Sequence, residues 1–286
     1  MKNISRGRHW VKYMLILAMG ILSINAMAQS PLADKQQIGL FKNSTTCVVL
    51  EDGSISYNVF IKDAVEKHWK ITDYEFISKK EFEERRFKPK YSFLVLIQRE
   101  DEDDPKGVKY DFMSLVLGSG AAEIVDMPEF CSLPLSYAGD DNAVYSYAVP
   151  SIVRFMQRHV RALDNRRALI KLLGLKYYNH SENFRDKALL LNEEKLAEEI
   201  STLYKVREVY PNYVEVLSTE KMEERLSLEP ENTVFLHHVG PDNKSGAGKC
   251  FEMIFDVEGN LYYYNYRQIT NAVEDGFTKK DLKKIR

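Results

Sequence analysis

The feature that most constrains the fold of this chain is a segment of eleven residues that occurs twice. The copies read EFISKKEFEER at 75–85 and EVLSTEKMEER at 215–225, and five positions are identical. In each copy an apolar run ends at a serine and a charged stretch follows, which is typical of a strand, a helix-capping serine and the first turns of a helix. The segment is therefore a signature of fold, and its recurrence predicts two related domains.

Apolar runs around the two copies repeat at the same spacing of 140 residues. Runs of this length bounded by polar turns predict strands. They lie at 47–50, 91–98 and 110–117 in the first copy and at 188–190, 233–237 and 250–255 in the second. After the first strand, the spacing of Val59, Phe60 and Ala64 predicts an amphipathic helix at 55–69.

The tyrosine-rich runs YSYAV at 145–149 and YYYNY at 262–266 are only 117 residues apart. We expect each run to be a strand that precedes a helix, which leaves 23 extra residues in the first copy. Each copy is then predicted to have the order β-α-β-α-β-β-β-α, with parallel leading strands and hairpins after them. Two helical stretches, at 151–163 and 166–175, are predicted to connect the copies.

The predicted fold class is α/β (α+β), with two tandem domains that are each a small mixed sheet with helices packed on it. The predicted organisation is a signal peptide at 1–28, a lead-in at 29–43, repeat 1 at 44–164 with its insertion at 118–142, a helical connection and linker at 165–183, and repeat 2 at 184–286.

The first 28 residues have the pattern of a secretory leader. Four basic residues precede an apolar run at 14–24, and the run ends near a small-x-small site at Ala26 and Ala28. Cleavage there changes the net charge from −2 to −6, because 36 Lys and Arg then face 42 Asp and Glu. We therefore expect an exported, periplasmic or secreted protein with no nucleic-acid partner and no stable membrane span after cleavage; a retained leader is the alternative.

Three cysteines, Cys47, Cys131 and Cys250, are too few for a disulfide framework. A bridge between Cys47 and Cys131 is compatible with an exported chain, and the sequence leaves it open. Cys250 lies in an apolar strand pattern and is interpreted as a small buried hydrophobe.

No motif identifies a catalytic residue, a metal site or a cofactor, and none is predicted. The loop at 240–249 ends in GAGKC but lacks the first glycine and the final Ser or Thr of a phosphate-binding loop. His237 and His238 are neighbours on a predicted strand, so one is expected to be buried and the other exposed. One histidine with Cys250 would lack the further ligands of a zinc site. The acidic run at 100–104 is interpreted as a solvated turn.

The insertion is the main predicted difference between the repeats, and it carries the first set of candidate binding residues. Phe130, Leu133 and Leu135 lie in a segment with two prolines, which cannot join a central strand. They would bind a partner if they are exposed. The alternative is that the segment is a packed cover over a sheet edge.

The tyrosine-rich strand of repeat 2 carries the second set of candidate binding residues. Tyr262, Tyr264 and Tyr266 alternate along the strand and would share one face. If that face is exposed, the rings could stack on a glycan or on the side chains of a partner protein. The alternative is cross-strand packing within the sheet.

The order of strand, long helix, strand, Ser-capped helix, strand and hairpin resembles the small α/β domains of several bacterial envelope proteins: the amino-terminal domain of TolB, the CsgG family and the peptidoglycan-synthase activator lipoproteins. This resemblance implies a non-enzymatic domain that binds other envelope proteins. We therefore expect an interaction or adaptor protein whose partner binds at the cleft between the repeats or at the insertion at 118–142. Two alternatives stay open. One is a periplasmic hydrolase or metal-dependent enzyme with its site between the domains, and the other is a carbohydrate-binding module that uses the strand at 262–266.

Overall fold

The structure is a computed structural model that describes residues 31–100, 107–140, 142–179, 184–241, 247–270 and 274–286. The strands within these ranges are β1 (Thr45–Val49), β2 (Asp73–Ile77), β3 (Tyr91–Glu100), β4 (Lys109–Leu117), β5 (Glu129–Tyr137), β6 (Ala188–Asn192), β7 (Val214–Leu217), β8 (Thr233–Val239), β9 (Gly248–Asp256) and β10 (Leu261–Ile269). The α-helices are α1 (Lys35–Lys42), α2 (Ile55–His68), α3 (Lys79–Arg85), α4 (Val149–Leu173), α5 (Leu203–Arg207), α6 (Thr219–Ser227) and α7 (Lys279–Ile285).

The ten strands form two mixed sheets of the same design. The first sheet has the order β2-β1-β3-β4-β5, and the second has the order β10-β9-β8-β6-β7. In each sheet the strand next to one edge, β1 or β6, pairs in parallel with both its neighbours, and the remaining pairs are antiparallel. The predicted fold class of two tandem α+β domains is confirmed.

The repeated segment forms a strand and a capped helix in both repeats. The hydroxyl of Ser78 accepts a hydrogen bond from the backbone N–H of Glu81 at 3.3 Å, and the Glu81 carboxylate accepts one from the backbone N–H of Ser78 at 2.9 Å. Ser218 caps α6 by accepting from the backbone N–H of Lys221 at 3.5 Å. These bonds satisfy amides that have no partner within the first turn of a helix.

The first and last residues of the repeated segment contact each other in both repeats. Glu75 on β2 lies 2.6 Å from the guanidinium of Arg85 at the end of α3. Glu215 on β7 lies 3.7 Å from that of Arg225 on α6. The ion pair joins the strand to the helix that follows it, which gives a physical reason for the identity of these positions in the two copies.

The predicted strand at 145–149 is wrong. Residues Asn142–Ala148 form a 3₁₀ helix that leads into α4. The strand that follows the hairpin is β5, which lies inside the predicted insertion and corresponds to β10. The alternation of Tyr145 and Tyr147 resembles a strand because both rings are buried, but they pack against His237 of repeat 2.

Two helix predictions also need correction. The buried face of α2 is formed by Tyr57, Ile61, Ala64 and Val65, whereas Val59 is exposed. The two helices predicted between the repeats are a single helix, α4, with a kink at Arg166, where φ is −131°.

The two repeats share one apolar core. It contains side chains from the inner faces of both sheets and from α1, α2, α4 and α6. On α6, Met222 is part of this shared core, whereas Phe82 at the corresponding position of α3 packs on the outer face of the first sheet. The face of the first sheet that carries α3 therefore points away from the shared core, whereas the equivalent face of the second sheet, which carries α6, points into it. The two repeats thus stack in the same orientation. The region between them is filled with side chains.

Cys47 and Cys131 are free thiols. They lie on β1 and β5, which are separated by β3 and β4, so their strands are about 14 Å apart, too far for a disulfide. Among the helices that the structure describes, none combines the length and apolar character needed to cross a bilayer.

Candidate functional site

The candidate residues of the insertion are inside the protein. Phe130, Leu133 and Leu135 lie on β5 and are fully buried in the shared core. Next to them, the backbone carbonyl of Pro134 lies 3.1 Å from His237 Nε2, which donates to it. The segment therefore joins the edge of the first sheet and packs against repeat 2, and these three side chains have no exposed surface for a partner.

A β-bulge at the start of β10 divides the candidate tyrosines between two faces. Tyr262 turns to the outer face of the second sheet, where its hydroxyl donates to Asp256 at 2.9 Å. Tyr264 packs on the shared core at the inner face. Tyr266 is partly exposed, and its ring is inclined by 57° to that of Tyr264. The three rings are therefore not a flat platform.

His237 and His238 point to opposite faces of β8, as predicted, but both are fully buried. The expectation that one is exposed is wrong, because the C-terminal segment 274–286 covers the outer face of the sheet. Burial among the rings of Tyr145 and Tyr147 lowers the pKa of His237 to about 3, although its hydrogen bond to Pro134 opposes the shift. His237 is thus a neutral part of the contact between the repeats.

His238 belongs to a cluster of three metal-binding residue types on the outer face. Its Nε2 lies 3.0 Å from Asp275 Oδ1, and its Nδ1 lies 4.0 Å from Cys250 Sγ. All three side chains are buried. Burial raises the pKa of the Cys250 thiol well above its usual value, and the nearby carboxylate of Glu252 raises it further. With no metal bound, this thiol is a poor nucleophile.

Two carboxyl groups share a proton beside this cluster. Burial, followed by the charge of Asp281 and a hydrogen bond to it, raises the pKa of Glu252 to about 8. Burial opposes ionisation of Asp281 too, but hydrogen bonds from Glu252, Lys284 and Thr278 outweigh it and lower the pKa of Asp281. At neutral pH, Glu252 therefore holds the proton and Asp281 the charge. The fully buried pair joins β9 to α7.

Arg267 on β10 lies next to both carboxyl groups. Its Nε is 3.7 Å from Glu252 Oε1 and 3.5 Å from Asp281 Oδ2. The other guanidinium nitrogens donate to the backbone carbonyls of Glu274 and Gly276. Arg267 thereby joins the sheet to the C-terminal segment.

An open groove of about 800 Å³ lies above these polar groups. We call it the outer groove; it is lined by Ala197, Glu198, Glu199, Lys205, Asn265, Tyr266, Arg267, Glu274, Thr278, Lys280, Asp281 and Lys284. Asp281 and Arg267 lie among the residues that line the groove, although Asp281 is only 1% exposed, whereas Glu252 and Cys250 are not lining residues. An acid and carboxylate pair is the type of group that enzymes use for proton transfer. Here the protonated member, Glu252, does not line the groove. We therefore assign the pair a structural role, in which it links β9 to the C-terminal segment.

The sequence pattern did not predict most members of this polar cluster. Glu252 did carry a signal, because it stands in the apolar run CFEMIF, and a carboxyl group in a buried strand requires a partner. Asp275 and Asp281 have no such signal in the sequence, since they lie in a polar C-terminal segment among many other charged residues. Their role arises only from the way that this segment folds over the sheet.

The remaining histidines that the structure describes lie apart from the cluster. His68 lies between Arg154 and Glu229, and its pKa is lowered by burial and by the charge of Arg154. His159 Nδ1 lies 2.8 Å from the Tyr178 hydroxyl, and burial lowers its pKa to about 4. His180, the acidic residues at 101–104 and residues 242–246 of the loop at 240–249 lie outside the described residues.

Comparison with known proteins gives no family assignment: no family model matches the chain, and neither a curated protein nor a solved structure does. The resemblance to the TolB, CsgG and synthase-activator domains stays a prediction.

Proposed function

We propose that this protein is an exported, non-catalytic interaction protein of the bacterial cell envelope, and that its partner protein docks on the end of α4. The observation that carries the proposal is a group of three exposed leucines. Leu169, Leu172 and Leu173 expose 45%, 78% and 47% of their surface, respectively. We call these three residues the leucine surface.

The other large apolar side chains of α4 are buried. Val160 and Leu163 have no exposed surface, and Ile170 exposes only 3%. The leucines of the leucine surface lie within a turn and a half of one another, so they form a contiguous apolar group on the helix that connects the repeats. Grouped exposed apolar side chains with polar neighbours are a common mark of a protein interface.

The charges around the leucine surface favour an acidic partner. Arg161, Arg166, Lys171 and Lys176 are exposed along this stretch. The one acidic residue between them, Asp164, lies 2.5 Å from Lys42 in an ion pair. A basic region on a chain that is acidic overall favours a segment that combines apolar side chains with Asp or Glu.

The buried state of the polar cluster supports a binding role over a catalytic one. Among the described residues, the side chains between the repeats belong to the shared core, which argues against a hydrolase site there. The inclined tyrosines of β10 give little support to a carbohydrate platform. Export follows from the leader predicted at 1–28.

The proposal is tested by placing a photo-reactive amino acid at position 172 in exporting bacterial cells and identifying the crosslinked protein. Position 228 is the matched control, because Leu228 is 74% exposed but lies near Glu229 and Glu231. We expect a defined crosslink from position 172 only. The partner found in this way is then purified for titration.

In that titration, Leu172→Ser and Lys171→Glu should each weaken binding by at least about 10-fold, whereas Leu228→Ser should leave it unchanged. Binding should also weaken as salt is raised. Equal affinity of the Leu172→Ser variant and the unchanged protein would refute the proposed surface. Leu172-dependent binding to phosphatidylglycerol vesicles, without a protein crosslink, would assign the surface to a membrane and overturn the proposal.

A further inference from the structure

A second feature, independent of the leucine surface, is the buried group formed by His238, Cys250 and Asp275. Each residue offers one ligand atom, and these atoms all lie within 4.8 Å of one another. In a tetrahedral zinc site, bond lengths of 2.0–2.3 Å place neighbouring ligand atoms about 3.3–3.6 Å apart. Shifts of about 1 Å would therefore bring the three atoms onto one ion.

We propose that His238, Cys250 and Asp275 bind one structural zinc ion that fastens the C-terminal segment to the second sheet. Nitrogen, sulfur and oxygen donors together match the ligand preference of zinc. The thiol releases its proton to solvent when the ion binds, so thiolate and carboxylate together neutralise the double positive charge. Neutrality suits a site with no exposed surface, because an uncompensated charge is costly there.

The residues next to Asp275 hold its carboxylate in place. The backbone N–H of Gly276 donates to Asp275 Oδ1 at 2.7 Å. At Gly240 a Cβ atom would lie 2.2 Å from the same oxygen, so glycine there leaves the space that the carboxylate occupies. These contacts show a carboxylate that is positioned by the fold against β8.

The three ligands come from separate parts of the fold, and one bound ion would link them. His238 is on β8 and Cys250 is on β9, whereas Asp275 belongs to the C-terminal segment. Glu252 lies beside the three ligands, with its Oε1 3.7 Å from Cys250 Sγ. The sequence interpretation set a zinc site aside because Cys250 and one histidine lacked further ligands; Asp275 supplies the third.

The test is to unfold the protein, refold it with zinc, dialyse it against buffer without metal and measure its metal content. We expect about one zinc per chain. The variants Cys250→Ser and His238→Gln each lose one ligand, and their affinity for zinc should fall by at least about 100-fold. Cys131→Ser is the matched control, since Cys131 is also a buried free thiol but lies on the first sheet. It should keep the metal.

Cobalt provides a measurement that does not depend on the variants folding. Refolded with Co²⁺, the unchanged protein should show the thiolate-to-cobalt charge-transfer absorption and the intense visible bands of a tetrahedral site. Zinc should also raise its melting temperature relative to chelator. A chain that refolds without retaining zinc, a cobalt form without the thiolate absorption, or a Cys250→Ser variant that keeps full metal content would each overturn the proposal.

Discussion

The hydroxyl of Tyr110 in repeat 1 bonds both backbone groups of Lys249 in repeat 2. It donates to the carbonyl oxygen and accepts from the amide N–H, and both distances are 2.7 Å. The Tyr110 ring also packs edge-to-face on Phe251, with centroids 5.3 Å apart. One side chain thus satisfies two buried polar groups at the start of β9 and joins the repeats where they share their core.

Replacing Tyr110 by Phe should lower the free energy of unfolding by about 1–3 kcal/mol, because a buried amide and a buried carbonyl lose their partner while the ring stays. Urea unfolding measures the change. Tyr57→Phe is the matched control: its hydroxyl is buried and has no hydrogen-bond partner among the described residues. That variant should differ from the unchanged protein by less than about 0.5 kcal/mol, and equal losses in the two variants would contradict the role of Tyr110.

Gly248 makes this contact sterically feasible. Its φ is +113°, and a Cβ atom would lie 2.5 Å from the Tyr110 hydroxyl. Gly248→Ala should therefore destabilise the protein by about 2–4 kcal/mol, through backbone strain and displacement of Tyr110. Gly139→Ala separates the two causes, since Gly139 has a φ of +93° but no atom within 4 Å. We expect about 1 kcal/mol there, and thermal unfolding that gives both variants the same loss would exclude the clash.

The capping serine of the repeated segment should contribute measurably to stability. Ser78→Ala removes one half of the capping box with Glu81, and the expected loss is about 0.5–2 kcal/mol. Ser54 stands at the same position before α2 but makes no capping bond with its side chain. Ser54→Ala should cost less than about 0.5 kcal/mol in the same urea titration. A larger loss for Ser54→Ala than for Ser78→Ala would contradict the assignment.

Glu252 should make the protein less stable as the pH rises. Its pKa is about 8 in the folded chain and about 4.5 when unfolded, so between these values the folded state binds more protons than the unfolded state. Its contribution is fully present below about pH 4.5 and is lost progressively up to about pH 8. The expected loss is a few kcal/mol, since one pKa unit corresponds to about 1.4 kcal/mol.

Comparing the unchanged protein with the Glu252→Gln variant isolates this effect, because other titrating groups are common to both. The stability difference should shift in favour of the glutamine variant from pH 5 to pH 8, and urea unfolding at several pH values measures it. A difference that is constant with pH would contradict the raised pKa.

His237 should make the protein less stable in acid. Burial lowers its pKa to about 3 in the folded chain, whereas the ordinary pKa of histidine is 6.5, so the unfolded state binds more protons as the pH falls below 6.5.

Local patterns in the sequence predicted the elements that depend on local interactions. The serine caps at Ser78 and Ser218 and the strands beside them follow from residues within one turn of each other. The strand predicted at 145–149 was wrong because Tyr145 and Tyr147 are buried by packing against repeat 2. Two buried residues at this spacing give the same sequence pattern as a strand. The offset of the first strands was also hidden: from their pairing with β2 and β7, Cys47 corresponds to Leu190, an offset of 143 instead of 140.

The polar cluster of repeat 2 could be predicted only in part. Glu252 is recognisable as a carboxyl group in an apolar run, and the opposite faces of His237 and His238 follow from strand geometry. The partner of His238, however, is Asp275, which is 37 positions further along the chain. Such a contact depends on the path of a connecting segment, and loop paths are poorly determined by local sequence.

The shared core also sets a constraint on the order of synthesis. Tyr110 is translated about 140 residues before Phe251, the ring that covers it. Until β8 and β9 have been made, α1, α2 and α4 can pack on the inner face of the first sheet, but the part of that face that contacts the second sheet has no cover. Each newly made molecule therefore passes through a stage in which part of this apolar surface is exposed, and surface of that kind favours aggregation.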